Sequence, residues 1–172
     1  MASPILAALA LAAFAAGTGE IKNPDTFVYA ITGDVDSLDP HWQYDAVSSE
    51  IQYQVYEGLV LFKAAATDDF EPGLASVVPS RANGALSADG LRYAFPLRKG
   101  VRFHDGSLLT IEDVRYSLLR FLLMDRAGGP SFLLQEPLLG TTSLLGPDGK
   151  PDPKWFAAAE KAVTVEAGAL VL

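Results

Sequence analysis

The positions of hydrophobic residues divide the chain into an apolar leader and a longer region of short periodic groups. Fourteen of residues 1–16 are hydrophobic, and none carries a charged side chain. The unbroken apolar run, residues 5–16, is shorter than the roughly 20 residues with which a helix spans a bilayer. With the A-x-A-like triplet at residues 13–15, the pattern predicts a secretory signal peptide over residues 1–16, although no Lys or Arg precedes it. A buried N-terminal helix is the alternative.

The region after the leader predicts a linker, a strand and a loop. Residues 17–26 are small and polar, which favours a flexible connection. Residues 27–31 are rich in β-branched and aromatic side chains, which predicts a strand. Residues 33–40 contain Gly, Asp and Pro, which interrupt regular structure and predict a loop.

A first helix is predicted after this loop from apolar residues at 3.6-residue spacing. Ser49 and Gln52 have the spacing of a capping box, so the helix is expected to begin at Ser49. Ile51 and Val55 then lie on one apolar face. Gly58 is the expected end of the helix, because glycine commonly follows a helix C-terminus.

Strand patterns and a second helix follow. Residues 59–62 and 91–97 have strand-like patterns. Pro96 places the second strand at a sheet edge or a bulge, because proline cannot donate a ladder hydrogen bond. Thr110, with Asp113 three residues later, predicts the N-cap of a helix. The apolar stripe of that helix consists of Ile111, Val114, Leu118, Phe121 and Leu122.

The last third of the chain predicts a long loop, a short helix and a hairpin. Residues 127–153 are rich in Gly and Pro and are expected to be mostly loop. A helix is expected over residues 154–161, followed by a hairpin of residues 163–165 and 169–172. We expect an unpaired strand edge near Val171, and hence poor solubility. The mixture of helices and strands predicts an α/β or α+β fold.

Length, charge and cysteine content exclude several classes of protein. The chain has 172 residues, the length of one typical domain. It carries 13 Lys and Arg against 21 Asp and Glu, a formal charge of −8, which disfavours binding to nucleic acid or to an anionic membrane. It has no cysteine, which excludes disulfides, thiolate metal sites, a cysteine nucleophile and a lipidated N-terminal cysteine. No lipid anchor is therefore expected.

The residues that could support catalysis or metal binding do not form a recognisable motif. His41 and His104 are the only histidines, and each is expected to have a surface or capping role. An EF-hand loop starting at Asp34 would need an oxygen ligand at the position of Leu38 and Gly at the position of Asp39. No G-x-S-x-G nucleophile elbow is present. We therefore predict a non-enzyme without a metal or a cofactor.

Two groups of segments resemble a known family. The first group is residues 37–41 (SLDPH) with residues 55–59 (VYEGL), at the end of the first predicted helix. The second is residues 88–106 (ADGLRYAFPLRKGVRFHDG), which continue into residues 109–117 (LTIEDVRYS). Together they resemble the extracytoplasmic solute-binding proteins of family 5, the dipeptide and oligopeptide binding proteins of ABC importers.

The resemblance implies a periplasmic-binding-protein-like fold of type II, in which only part of two lobes is present. Residues 17–57 would begin lobe 1, and residues 58–172 would form most of the small second lobe, incomplete at its C-terminal end. The implied protein is a monomeric periplasmic receptor that delivers peptides to an inner-membrane permease. Alternatives keep the fold but change the solute to a nickel chelate, haem, an opine or an oligosaccharide. A further alternative is a truncated gene product that binds nothing.

The resemblance also implies which residues face the ligand. The predicted ligand-facing residues are Trp42, Tyr44, Asp45 and Ala46, together with Ser131 and Phe132 in the loop after the second helix. The alternative for both segments is an ordinary surface or packing role. Asp45 could meet the amino terminus of a peptide. The apolar residues of the motifs themselves are expected in the core: Leu38, Val55, Leu59, Phe95, Leu97, Phe103 and Val114.

Overall fold

The structure, a computed structural model, describes residues 23–172. The predicted signal peptide, residues 1–16, lies outside this range. Contacts divide the chain into a unit that ends at Thr32 and a second unit, Gly33–Leu172. None of the helices within residues 23–172 has the length and apolarity needed to cross a membrane.

The end of the first unit does not form the predicted strand. Residues 27–31 have no strand assignment, and the side chains of Phe27 and Val28 are exposed. Their residue types favour extended backbone, but a β-strand also needs a neighbouring strand for its ladder hydrogen bonds. The prediction of a strand here was wrong because local propensity does not supply that neighbour.

The second unit contains four helices and five short strands. In chain order they are α1 (Ala46–Val55), β1 (Val60–Phe62), β2 (Phe70–Pro72), β3 (Ala94–Pro96), α2 (Ile111–Leu123), α3 (Phe132–Leu139), α4 (Lys154–Ala162), β4 (Thr164–Glu166) and β5 (Ala169–Val171). This mixture of helices and strands confirms the predicted mixed α/β class.

Helix α1 begins and ends at different residues from those predicted. Asp45 is its N-cap, and its Oδ1 accepts a hydrogen bond from Ser48 N at 2.8 Å. The helix therefore begins three residues before the predicted start at Ser49. It ends at Val55 with Tyr56 as its C-cap, not at Gly58.

The strands form two antiparallel sheets. One pairs β1 with β2, and the other has the order β3–β5–β4. Within β5, Val171 pairs with Ala94 on one side and Thr164 on the other. The predicted unpaired edge near Val171 was therefore wrong, because β5 is the middle strand. Pro96 lies on β3 at an edge of this sheet, as predicted.

The hairpin of β4 and β5 confirms its prediction and shows how the turn is made. Its two-residue loop is Ala167 and Gly168, with φ of 49° and 78°. Two positive φ values define a type I′ turn, whose twist matches that of the flanking strands. Gly168 adopts this conformation without the steric cost that Ala167 bears.

Helix α2 begins at the predicted capping box. Thr110 Oγ1 accepts from Asp113 N at 3.2 Å, and Asp113 Oδ2 accepts from Thr110 N at 2.7 Å. The hydrogen bonds from Thr110 lower the pKa of Asp113. The two residues thereby satisfy amide groups that the first helical turn leaves unpaired.

The core lies between α2, the three-stranded sheet and helices α3 and α4. Its main cluster of buried side chains consists of Ala75, Phe95, Val114, Leu122, Ala159, Val163 and Leu170. Phe95 and Val114 were predicted in the core, and Leu59 and Leu97 are partly buried against it. The prediction was wrong for three residues that are about half exposed, Leu38, Val55 and Phe103.

Helix α3 lies inside the region predicted to be loop, residues 127–153. Pro130 precedes it, Pro137 lies within it, and Gly140 ends it with a φ of 69°. Prolines normally interrupt helices because they lack the amide proton. This signal caused the helix to be missed, and Phe132 is therefore the first helical residue and not a loop residue.

Candidate ligand-binding surface

The loop that follows Gly33 is attached to α2 by a salt bridge. Arg120 donates to Asp39 in a bidentate arrangement, from Nη1 to Oδ1 at 2.8 Å and from Nη2 to Oδ2 at 2.5 Å. Asp39 Oδ1 also accepts from His41 N at 2.9 Å. The hydrogen bonds from Arg120 are the main reason that the pKa of Asp39 falls to about 2, with smaller contributions from His41 N and from the Arg120 charge.

His41 is buried beside this salt bridge, which corrects the prediction of a surface or capping role. Its Nδ1 accepts a hydrogen bond from Arg120, so the ring proton must lie on Nε2, which donates to Ser117 Oγ at 3.2 Å. The ring also contacts Phe121 edge-on, with centroids 5.7 Å apart. Burial lowers the pKa of His41, and the positive charge of Arg120 lowers it further. The other histidine, His104, is exposed.

A layer of buried polar side chains joins the same loop to α1. Gln43 Nε2 donates to Gln52 Oε1 at 2.8 Å and to Ser49 Oγ at 3.1 Å. Ser48 Oγ accepts from Asp36 N at 3.0 Å. Gln43, Ser48 and Gln52 are all buried. These bonds attach Gln43, the residue between Trp42 and Tyr44, and the earlier part of the loop at Asp36 to α1.

Four side chains from two distant segments form two contacting pairs, which together we call the aromatic surface: Trp42 with Arg126, and Tyr44 with Phe132. The guanidinium carbon of Arg126 lies 4.6 Å from the centroid of the Trp42 ring. The rings of Tyr44 and Phe132 meet edge-on with centroids 5.7 Å apart. Trp42 and Tyr44 remain 41% and 55% exposed, so ring surface is available to a ligand.

The other predicted ligand-facing residues have structural contacts. Asp45 caps α1, and hydrogen bonds from Ser48 lower its pKa. Ala46 is the exposed first residue of that helix. Ser131 is buried, and its Oγ donates to Met124 O at 3.1 Å. The structure thus brings the two predicted segments together through Tyr44 and Phe132, while Ser131 faces inward.

Sequence reasoning missed the two arginines that hold this region together. Arg120 and Arg126 lie 81 and 84 residues from their partners Asp39 and Trp42. Arg120 occupies the polar side of an amphipathic helix, and Arg126 follows the helix in a short loop. Neither position has a local pattern that would have revealed such a distant partner.

A shallow groove is lined by His41. It consists of two adjoining cavities, of about 510 and 300 Å³, that share Pro40, His41, Tyr56 and Ser117. None of the predicted ligand-facing residues lines it. Within residues 23–172, no three His, Asp or Glu side chains lie close enough together to hold a metal ion.

Comparison with known proteins assigns the chain to a family. Residues 69–168, more than half of the chain, match the middle region of the bacterial extracellular solute-binding proteins, family 5. The chain belongs to this family, which confirms the resemblance seen in residues 88–106. Its fold is that of the type II periplasmic binding proteins, as predicted.

The curated relatives are named after different solutes. The chain is 33% identical over 109 residues to glutathione-binding protein GsiB of Pectobacterium atrosepticum, covering 63% of this chain and 18% of the relative. It is 43% identical over 75 residues to heme-binding protein A of Haemophilus influenzae, covering 40% and 12%. It is 31% identical over 126 residues to di/tripeptide-binding protein 2 of Pseudomonas aeruginosa, covering 66% and 21%. The chain therefore spans about a fifth or less of the length of these relatives.

Solved structures give the same fold. Clavulanic acid biosynthesis oligopeptide binding protein 2 matches with a TM-score of 0.56 and 28% identity, over 81% of this chain and 24% of that protein. A periplasmic oligopeptide-binding protein of Borrelia burgdorferi matches with a TM-score of 0.52 and 22% identity, over 78% and 24%. At this identity, the second match supports the fold alone.

Proposed function

We propose that this chain is part of the extracytoplasmic binding component of an ABC importer whose solutes are peptides. Family membership supports the class of protein, and the names of a di/tripeptide-binding relative and an oligopeptide-binding structure support the solute. The proposed receptor is a monomer in the periplasm that delivers its solute to a membrane permease. It has no enzymatic activity, and its acidic chain does not bind nucleic acid.

The aromatic surface carries the proposal for the ligand site. Exposed aromatic rings supply large apolar contact areas for peptide side chains, and few rotamers are lost when they bind. Asp45 Oδ2 has no hydrogen-bond partner within residues 23–172. A local side-chain movement would allow this oxygen to accept from the ammonium group of a peptide. Trp42, Tyr44 and Phe132 would then contact the side chains of the same peptide.

Haem is the second candidate solute, because one relative is named a heme-binding protein. Exposed aromatic rings can also stack on a flat macrocycle. Glutathione, the solute in the name of another relative, is itself a modified tripeptide and falls within the peptide proposal. An experiment on the solute must therefore distinguish a peptide from a porphyrin.

Titration of the ¹⁵N-labelled 172-residue chain with trialanine, Ala-Phe-Ala, glutathione and haemin tests the proposal. We expect the peptides to shift the amide resonances of residues 42–46 and of Phe132 in a saturable way. Binding should be weaker than micromolar, because receptors of this kind close two lobes around the ligand and the chain spans a fifth of its relatives. A micromolar dissociation constant for any of the peptides would contradict this expectation of weak binding.

Two tyrosine variants locate the site. Tyr44→Ala should remove the peptide-induced shifts, while Tyr53→Ala should leave them unchanged. Tyr53 is 75% exposed and lines the groove beside His41, so it is a matched control outside the aromatic surface. Loss of the shifts in Tyr53→Ala alone would move the site to the groove. Haemin binding without any peptide-induced shift would replace the peptide proposal by the haem alternative.

A further inference from the structure

Arg126 makes a different contact with each nitrogen of its guanidinium group. Nε donates to Trp42 O at 2.7 Å, Nη1 donates to Ala127 O at 3.2 Å, and Nη2 lies 3.7 Å from Asp36 Oδ2. The same group covers the Trp42 ring. One side chain thus holds the carbonyl of Trp42, its ring and the loop that precedes it.

We propose that Arg126 is a positioning residue that orients the indole of Trp42 to receive an apolar side chain of the ligand. The part concerning the ligand rests on the proposed function, whereas the orientation of Trp42 does not. Arg126 covers one face of the indole, and Trp42 is still 41% exposed. Part of Trp42 is therefore still accessible to a ligand.

The shape of the guanidinium group explains why this position requires arginine. Lysine could keep the positive charge above the ring and near Asp36. Its single ammonium has no planar fork, so it cannot bond Trp42 O with one nitrogen while the rest of the group stays over the indole. Lysine should therefore restore the charge without restoring the orientation of the ring.

Gly129 provides independent evidence that the position of the Arg126 side chain is sterically constrained. A Cβ atom added at Gly129 would lie 2.7 Å from Arg126 Cγ and 3.2 Å from Arg126 O. Cγ is near the root of the side chain, so the arginine would have to move as a whole to relieve the contact. The loop after α2 thus leaves room for Arg126 in the conformation that reaches Trp42.

A single-tryptophan protein allows the orientation of Trp42 to be measured directly. The chain has two tryptophans, so Trp155→Phe leaves Trp42 as the only indole fluorophore. In this background, Arg126→Ala should shift the Trp42 emission to longer wavelength and increase its quenching by acrylamide. Arg126→Lys should restore these properties only in part, and Gly129→Ala should resemble Arg126→Ala with the arginine still present.

Peptide binding supplies the second measurement. Arg126→Ala should weaken the binding of Ala-Phe-Ala about two- to five-fold, the size of effect expected when a partly exposed ring loses a cation–π partner. Arg92→Ala is the matched control, because it removes an exposed arginine that is paired with Glu166. It should change neither the Trp42 emission nor the affinity.

The outcomes separate the two proposals. Unchanged emission and quenching in both Arg126→Ala and Gly129→Ala would overturn the positioning role. Altered emission with unchanged peptide affinity would also overturn it as a determinant of binding. If the parent protein bound no peptide, the proposed function would fail, while the emission of Trp42 would still decide whether Arg126 orients the indole.

Discussion

The two halves of the compact unit bury different kinds of side chain. In residues 33–57, which carry Trp42 and Tyr44, every buried side chain is polar: His41, Gln43, Ser48 and Gln52. In the half built on α2 and the three-stranded sheet, most are apolar, among them Leu122, Leu144, Val163 and Leu170. One half is stabilised by a hydrogen-bond network and the other by removal of apolar surface from water.

This difference determines what each half responds to. Apolar burial depends on shape and volume and is insensitive to pH. A buried polar network depends on every partner being present in one protonation state, because an unpaired buried group costs free energy. We therefore expect volume changes to destabilise the α2 half and changes of charge or pH to act on the loop that carries the predicted ligand-facing residues.

The largest expected effect is the loss of a core side chain in α2. Leu122 is fully buried, so Leu122→Ala should lower the free energy of unfolding by about 2–5 kcal/mol. Urea denaturation followed by circular dichroism measures this change. Leu133→Ala, in a residue that is 50% exposed on α3, is the control and should cost far less. Equal losses would mean that the apolar cluster is not the stabilising core.

Removal of the charge of Asp39 should have an intermediate effect on the polar half. Asp39→Asn breaks the bidentate pair with Arg120, and both side chains are about a third exposed. We expect a loss of about 1–2 kcal/mol, less than a fully buried charged pair would give. Amide hydrogen exchange should show the loss of protection concentrated in residues 39–43.

The pH dependence of the same pair has a definite sign. The pKa of Asp39 is about 2, below the ordinary value of 3.8, so its contribution is present above pH 3.8 and is lost as the pH falls towards 2. Asp39→Asn should remove this component of acid unfolding. Asp69→Asn, which breaks the exposed pair with Lys63, is the control. If Asp69→Asn changed the acid unfolding as much as Asp39→Asn, the special role of the Asp39–Arg120 pair would be contradicted.

The smallest expected effect is a loss of stability in mildly acidic solution caused by His41. Because burial and Arg120 lower its pKa in the folded state, the unfolded chain binds the proton first as the pH falls below 6.5. Melting temperatures between pH 7.5 and 5.5 should fall in the parent and vary less in His41→Asn, whose amide oxygen can still accept from Arg120. His104→Asn, at an exposed site, should behave like the parent.

The parts of the fold that the sequence predicts are those whose cause is local. Thr110 and Asp113 lie within one helical turn, and Gly168 lies within its hairpin turn, so the sequence alone indicates both. Pro96 was placed correctly at an edge because the missing amide proton is a property of that residue alone.

The parts that the sequence does not predict depend on distant partners. No residue near His41 in the sequence indicates that Arg120 and Ser117 form hydrogen bonds with its two ring nitrogens. The same holds for Trp42, whose surface was predicted from family resemblance while its partner Arg126 was not. Helix α3 was missed for a different reason, since its prolines are a true local signal that tertiary contacts override.

The place of β5 in the middle of its sheet has a consequence for biosynthesis. Strand β3 pairs with β5, and Ala94 and Val171 are separated by 77 residues of chain. A ribosome must therefore synthesise all of α2, α3 and α4 before β3 acquires its neighbour, and closure of such a long loop slows folding. Until then, β3 lacks the strand neighbour that it has in the folded unit, and its ladder hydrogen bonds to β5 cannot form.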